Sequence, residues 1–200
     1  MIIVLEGPSA AGKSRHVRAF QPEKVVSEIP GHVKPDRAAT VEEESRFWVA
    51  RNEERWAQAL DREARHAVAV CDTDPLKLHY AWTLVRAGVV PSAESFERQL
   101  HVTRAAIARR TLGIADQIAC VVPSEAVLRE RRAGDITRRR RNFETHLRLA
   151  GPIREWYSAL GAVDPGRVIW DWPDGARPLS RRDRYDLDLF DAWMARLPST

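Results

Sequence analysis

Apolar positions along this 200-residue chain fall into short, β-branched runs separated by longer stretches in which apolar residues recur at helical spacing. The runs at 2–5, 24–27, 67–71, 117–122 and 167–170 predict five strands. The stretches at 14–20, 41–65, 76–87, 93–112, 124–132, 142–160 and 185–197 predict helices. Alternation of this kind is the signature of a parallel sheet covered by helices, an α/β fold, and each crossover is long enough for a right-handed βαβ unit. Open sheets of this class bind ligands at the carboxyl ends of their strands, which directs attention to positions 7–14, 28–30, 72–75, 123 and 171–173. Two polar or charged interruptions, 30–40 and 132–141, read as inserts over that same edge. No repeat or linker divides the chain, so a single domain over 1–200 is expected.

Directly after the first apolar run stands Gly7-Pro8-Ser9-Ala10-Ala11-Gly12-Lys13-Ser14, which fits G-x-x-x-x-G-K-[ST]. The residue types follow from the chemistry of polyphosphates. Glycines let the backbone curl until successive N–H groups face phosphate oxygens, Lys13 bridges those oxygens, and the Ser14 hydroxyl serves Mg²⁺. Gly7, Ala10, Ala11, Gly12, Lys13, Ser14 and Arg15 therefore form the expected nucleotide-binding set, with ATP and Mg²⁺ as the expected cofactors.

Charge sharpens this picture. The net charge is +4, yet 129–141 alone carries seven arginines against Glu130 and Asp135, leaving the rest close to neutral. A basic segment so concentrated argues for a local anion site, not a nucleic-acid-binding face. As phosphoryl transfer spreads negative charge over equatorial oxygens, a lid over about 132–141 would place guanidinium groups there. Arg132, Arg138 and Arg140 are the catalytic candidates among them. Cys71 and Cys120 lie in strand-like runs as small hydrophobes, and neither a disulfide framework nor a zinc site is indicated. No stretch approaches the length of a membrane span, and the opening reads as neither leader nor anchor, so a cytoplasmic protein is expected.

Asp72 and Asp74 follow the third run, where an acid can serve Mg²⁺ or its bound water. Asp72 is preferred for the metal, while Asp74 reads either as a cap on the helix after Pro75 or as a substrate contact. Glu28 closes the second run and is placed to accept a proton from an attacking hydroxyl; whether Glu28 or Asp72 is the base stays open. Among seven tryptophans, Trp48, Trp56 and Trp82 lie on helices that would wall an acceptor pocket, although aromatics at helical spacing more often fill a core. Arg46, Trp48, Asn52, Lys77 and Arg104 complete the candidate acceptor contacts.

Several segments resemble the P-loop kinases of the thymidylate kinase and deoxynucleoside kinase group. Leu5-Glu6-Gly7 leading into Gly12-Lys13-Ser14 is similar to the group's loop, with its acid before the first glycine. The segment 115–131 resembles the strand and helix that enter the lid; the arginine run, followed by Phe143-Glu144-Thr145-His146-Leu147 and Ile153-Arg154-Glu155-Trp156-Tyr157, resembles the lid and the helix after it. The resemblance spans about residues 1–172. It implies a three-layer αβα sandwich with a five-stranded parallel sheet and an arginine-rich lid, ATP as donor, and a small-molecule acceptor that is nucleoside- or nucleotide-like. It also implies that Glu28, in Glu28-Ile29-Pro30, is the base, with one residue more before the proline than in the group. One departure is clear: where the group has an acid followed by arginine after the third strand, this chain has Asp72 and then Thr73, leaving Lys77 to substitute. That favours a divergent small-molecule kinase, with phosphorylation of an antibiotic or other natural product as the second reading. A regulatory NTPase switch is the rival, but the chain lacks an N-K-x-D motif and a D-x-x-G switch. Assembly as a homodimer is left open.

Overall fold

A computed structural model describes residues 1–30, 32–90, 92–135, 142–173 and 181–199. The chain runs β1 (Ile2–Glu6), α1 (Lys13–Val17), a 3-10 turn (Pro22–Lys24), β2 (Val25–Val26), α2 (Val41–His66), β3 (Ala69–Asp72) and α3 (Leu78–Arg86). It continues through α4 (Glu94–Ala108), β4 (Gln117–Cys120), α5 (Glu125–Ala133), α6 (Phe143–Arg148), α7 (Ala150–Val163), β5 (Val168–Ile169) and α8 (Leu187–Ala195). All five predicted strands pair, every one in parallel, in the order β2-β3-β1-β4-β5. The protein is thus an α/β fold on a five-stranded all-parallel sheet.

The central strand explains why the sheet is covered on both faces. Ile2, Ile3, Val4, Leu5 and Glu6 are all buried, as a continuous apolar run in a parallel sheet requires. Because successive side chains alternate, Ile2 and Val4 join Ala69, Cys71, Ile118 and Cys120 in the main core, which also holds residues of α2, α3, α4, α7 and α8. Ile3, Leu5, Val70 and Ala119 face the opposite way, onto Val17, Phe20 and Trp172. The layers are unequal in thickness and compatible with a three-layer sandwich. Trp82, Trp156 and Trp193 pack together in the thicker layer, with ring centroids 5.7 and 5.0 Å apart along the series. Trp56 and Trp82 are buried to 1% exposure, so both belong to the core and not to a pocket wall.

Boundaries move where local chemistry intervenes. The predicted helix at 142–160 is two helices, because Pro152 lacks an N–H and its ring would strike the carbonyl of residue 148 if α6 continued. Helix α3 starts at Leu78, later than predicted, because Lys77 takes a left-handed backbone (φ 51°) and Asp74 accepts from the Leu76 N–H at 2.9 Å. Asp74 therefore forms a turn and does not cap a helix. Helix α4 stops at Ala108, short of 112, with Arg110 left-handed at φ 59°. Thr40 opens α2 through a reciprocal capping box with Glu43, in which the Thr40 N–H donates to Glu43 Oε2 at 2.8 Å.

At the amino-terminal edge of the sheet, an ion cluster ties the chain together. Arg184 donates to Glu63 at 2.6 and 2.7 Å and to Asp116, whose carboxylate also accepts the Ile2 N–H at 2.7 Å. The Met1 amine closes on Glu63. Among the described residues no helix is long and apolar enough to cross a membrane.

Candidate functional site

The loop between β1 and α1 is shaped by three residues with positive φ, at Gly7 (150°), Ala10 (70°) and Gly12 (106°). Gly7 is required twice over: a Cβ there would lie 2.3 Å from the Val121 carbonyl oxygen. The N–H groups of Ala10, Gly12 and Lys13 donate to no acceptor among the described residues. Lys13 folds back over the loop, its Nζ donating to the Gly7 carbonyl at 2.7 Å and to Glu6 Oε1 at 3.3 Å. From α5, Arg131 Nη1 donates to the Ala11 carbonyl at 2.7 Å. Ser14 is half-buried beside Lys13 on α1, and Arg15 is exposed.

Glu6 is the hub beneath this loop. Its carboxylate accepts from the Gly7 N–H at 2.9 Å, the Asp74 N–H at 3.1 Å and the Thr73 hydroxyl, and His79 Nε2 lies at 3.4 Å. Burial alone would raise its pKa, but Lys13 foremost, with His79, Lys77 and the Thr73 hydroxyl, holds it well below the usual carboxylate range. His79 is driven the other way, to about 4, chiefly by burial, and is neutral at pH 7. Tyr157 from α7 donates to Asp74 Oδ2 at 3.1 Å and approaches His79 Nδ1 at 3.3 Å. Burial raises Asp74 to about 6. Glu6, Thr73, His79, Tyr157 and Asp74 thus connect the loop after β1 to the loop after β3.

On the other side of that junction, Asp72 is half-buried, and its carboxylate makes no hydrogen bond or ion pair among the described residues. Desolvation raises its pKa against the pull of Lys13. Glu28 is exposed and ion-paired to Lys77 Nζ at 2.5 Å. Its pKa is lowered: burial would raise it, and the Lys77 charge and hydrogen bond outweigh that. Arg55, from the middle of α2, donates to the carbonyls of Ser27, Asp72, Thr73 and Asp74 at 2.9–3.3 Å, locking the ends of β2 and β3 together. Asn52, one turn earlier, donates to the Leu76 carbonyl at 3.0 Å.

Gly7, Ala10, Ala11, Gly12, Lys13, Ser14, Glu28, Asp72, Asp74, Lys77 and Asn52 therefore meet at the carboxyl ends of β1, β2 and β3. Four other candidates point elsewhere. Arg46 is exposed on α2 and pairs with Glu42, Trp48 donates to Glu44, and Arg104 is held bidentately by Asp191 of α8. Arg132 pairs with Glu144 at 3.2 Å and covers the Phe143 ring, while its neighbour Arg131 is the one that touches the loop. Helical geometry decides this, since adjacent residues project about 100° apart. Arg138 and Arg140, like Arg139 and Arg141, lie outside the described residues.

Several site residues carry little sequence signal. Glu6 is marked in the sequence as the acid before the first loop glycine, but nothing there announces its partners after β3. Tyr157 lies 83 residues from Asp74, and nothing local announces the contact. Arg55 is hidden inside a charged helix. Among the described residues no group of three or more His, Cys, Asp or Glu side chains gathers as a metal-ligand set. A separate open cleft of about 480 Å³ lies between the starts of α2 and α4, lined by Thr40, Glu42, Glu94, Arg98 and His101 and by no residue of the glycine loop. Compared with known proteins, the chain matches no protein-family model and no curated protein sequence.

Proposed function

We propose that this protein is an ATP- and Mg²⁺-dependent phosphotransferase of the P-loop kinase type, acting on a small-molecule acceptor. The observation that carries this reading is the state of the glycine loop. The N–H groups of Ala10, Gly12 and Lys13, which find no acceptor among the described residues, and the Lys13 amine held over the loop by the Gly7 carbonyl form a cradle of donors. A polyphosphate fits that donor set, and the close approach at Gly7 leaves the loop no room for a larger residue.

In this reading the loop N–H groups and Lys13 bind the phosphates, and Ser14 and Asp72 are the residues that would hold Mg²⁺ or its water. When bound, ATP supplies the γ-phosphoryl group and Mg²⁺ offsets its negative charge. Glu28, kept ionised by Lys77, is the acceptor for the hydroxyl proton. Glu6 holds Lys13 and the loop start in register, and Arg131 on α5 brings positive charge to the loop. The sequence motif and the donor cradle support nucleotide chemistry; the Glu28 and Lys77 pair beside it supports transfer to an acceptor.

Lys13→Ala tests the assignment. Thermal unfolding should show ATP with Mg²⁺ raising the melting temperature of the native protein and not of the variant, whose own melting temperature stays within a few degrees. An equal ATP-induced rise in both proteins would refute the loop assignment. Turnover that is slow and indifferent to every acceptor would favour a nucleotide switch.

A further inference from the structure

We propose that Glu6 is a positioning residue that competes with nucleotide phosphates for Lys13, so that binding exchanges the Lys13 contact to Glu6 for one to phosphate. The inference rests on the phosphotransferase reading and concerns how that site admits its nucleotide. The two oxygens of Glu6 are divided between two loops. Oε1 serves the glycine loop, accepting the Gly7 N–H at 2.9 Å and the Lys13 amine at 3.3 Å. Oε2 serves the loop after β3, accepting the Thr73 hydroxyl and the Asp74 N–H at 3.1 Å, with His79 Nε2 at 3.4 Å. An ionised carboxylate only accepts, so Nε2 carries the proton of the neutral His79 ring. Removing its cation normally strands a buried carboxylate, at a large cost in stability. Here the Gly7, Thr73 and Asp74 donors and His79 stay in place, and Lys13 can leave without stranding Glu6.

Distance and mobility agree on which partner is exchangeable. A charge-assisted N–H···O contact closes to about 2.7–2.9 Å. The Lys13 amine reaches that range at the Gly7 carbonyl, 2.7 Å away, and not at Glu6. Glu6 cannot follow the amine. It ends the central strand β1, in register with Cys120 of β4, and its side chain is 3% exposed. Lys13 opens α1 on a flexible stem, and its side chain is 20% exposed. Burial would lower the Lys13 pKa, but Glu6 foremost, then Glu28 and Asp72, raise it, so the amine keeps its charge. Lys13 is thus a charged, loosely held donor beside the loop N–H groups that find no acceptor among the described residues. It moves from Glu6 to β- and γ-phosphate oxygens when these are present. The fraction of molecules in which it stays on Glu6 lowers the apparent affinity accordingly. The more of the Glu6 charge the donors on Oε2 take up, the weaker this competition becomes.

Titration calorimetry of the full chain with ATP, ADP and AMP, each with Mg²⁺, tests the competition. Glu6→Gln removes the competing charge, so ATP should bind about fivefold more tightly. ADP should gain less, and AMP, which offers Lys13 no β-phosphate, should be unchanged. A merely structural Glu6 predicts the reverse, a loss of ATP affinity as Lys13 loses its support. Thr73→Val leaves Glu6 charged and strips one donor from Oε2, so ATP should bind about threefold more weakly, again with AMP unchanged. Unchanged or weaker ATP binding by a folded Glu6→Gln protein overturns the inference, as does a gain shared equally by AMP. If that variant does not fold, Thr73→Val decides alone: ATP affinity equal to that of the native protein, or a loss shared equally by AMP, overturns it. The donor reading survives each of these results as long as the native protein binds ATP, whereas a native protein that binds no ATP brings down both.

Discussion

Thr73 offers the most direct test of how the site is built. It is a β-branched residue in the left-handed region, φ 74°, buried to 2% exposure, and its hydroxyl donates to the Glu6 carboxylate. That backbone conformation is costly for a branched side chain, about 1–2 kcal/mol relative to glycine. The hydroxyl offsets it, since a hydrogen bond to a buried charge contributes about 1.5–3 kcal/mol. Thr73→Val keeps the unfavourable backbone and removes the donor, so it should lose about 2 kcal/mol, or about 4–8 °C in melting temperature for a chain of this size. Thr73→Gly also removes the donor but relieves the backbone, and should recover about 1 kcal/mol of that loss. Thr73→Ser keeps the donor and should stay within about 0.5 kcal/mol of the native protein. Urea unfolding followed by tryptophan fluorescence measures all three, and titration with ATP reports whether Lys13, which shares Glu6 with Thr73, is still held. If Thr73→Val matched the native protein, or Thr73→Gly were no more stable than Thr73→Val, the balance between backbone strain and hydrogen bond would be wrong.

The buried pair Asp74 and His79 should produce opposing pH dependences. Asp74 rises from 3.8 to about 6 on folding, mainly by burial, so its contribution to stability is greatest below pH 4 and is lost as pH climbs through 6. His79 falls from 6.5 to about 4, so its contribution is complete above pH 6.5 and is lost as pH drops toward 4. Asp74→Asn should therefore leave stability rising with pH between about 4 and 6.5, measured by urea unfolding across that range; a flat profile would refute the burial of a neutral His79. Glu63, held down from 4.5 to about 2, first by its hydrogen bonds to Arg184, contributes about 3 kcal/mol above pH 4.5 that disappears toward pH 2. Glu63→Gln should lose about that amount at pH 7, seen in chemical denaturation, without altering ATP affinity. Arg131→Met, which removes the contact to the Ala11 carbonyl, should weaken ATP binding about tenfold in calorimetry, about 1.4 kcal/mol, with the melting temperature of the free protein little changed. Unchanged affinity would separate α5 from the loop's chemistry.

Much of this architecture is legible along the chain because its causes are local or periodic. Ile2-Ile3-Val4-Leu5 is apolar at every position, which a strand buried on both faces demands, and Gly7 to Ser14 announces a loop whose backbone must curl. What is not legible depends on which side of a helix a residue faces and on partners far away in sequence. Arg131 and Arg132 look interchangeable in the sequence, yet one reaches the Ala11 carbonyl and the other Glu144. Arg46 and Arg104 look like readers of a ligand's edge, but Glu42 and Asp191 occupy them. Lys77 meets Glu28 across 49 residues of sequence because β2 and β3 lie side by side, a pairing no local signal announces.

By itself, then, the sequence determined the parallel α/β layout and the position of the glycine loop, because strand burial and loop curvature are written in consecutive residues. Only the tertiary structure decided what Glu6 does. Parallel pairing of β1 with β3 sets Leu5 beside Asp72, so a lone acid at a strand end meets Thr73, Asp74 and His79, and low-dielectric burial binds the five-residue network through to Tyr157.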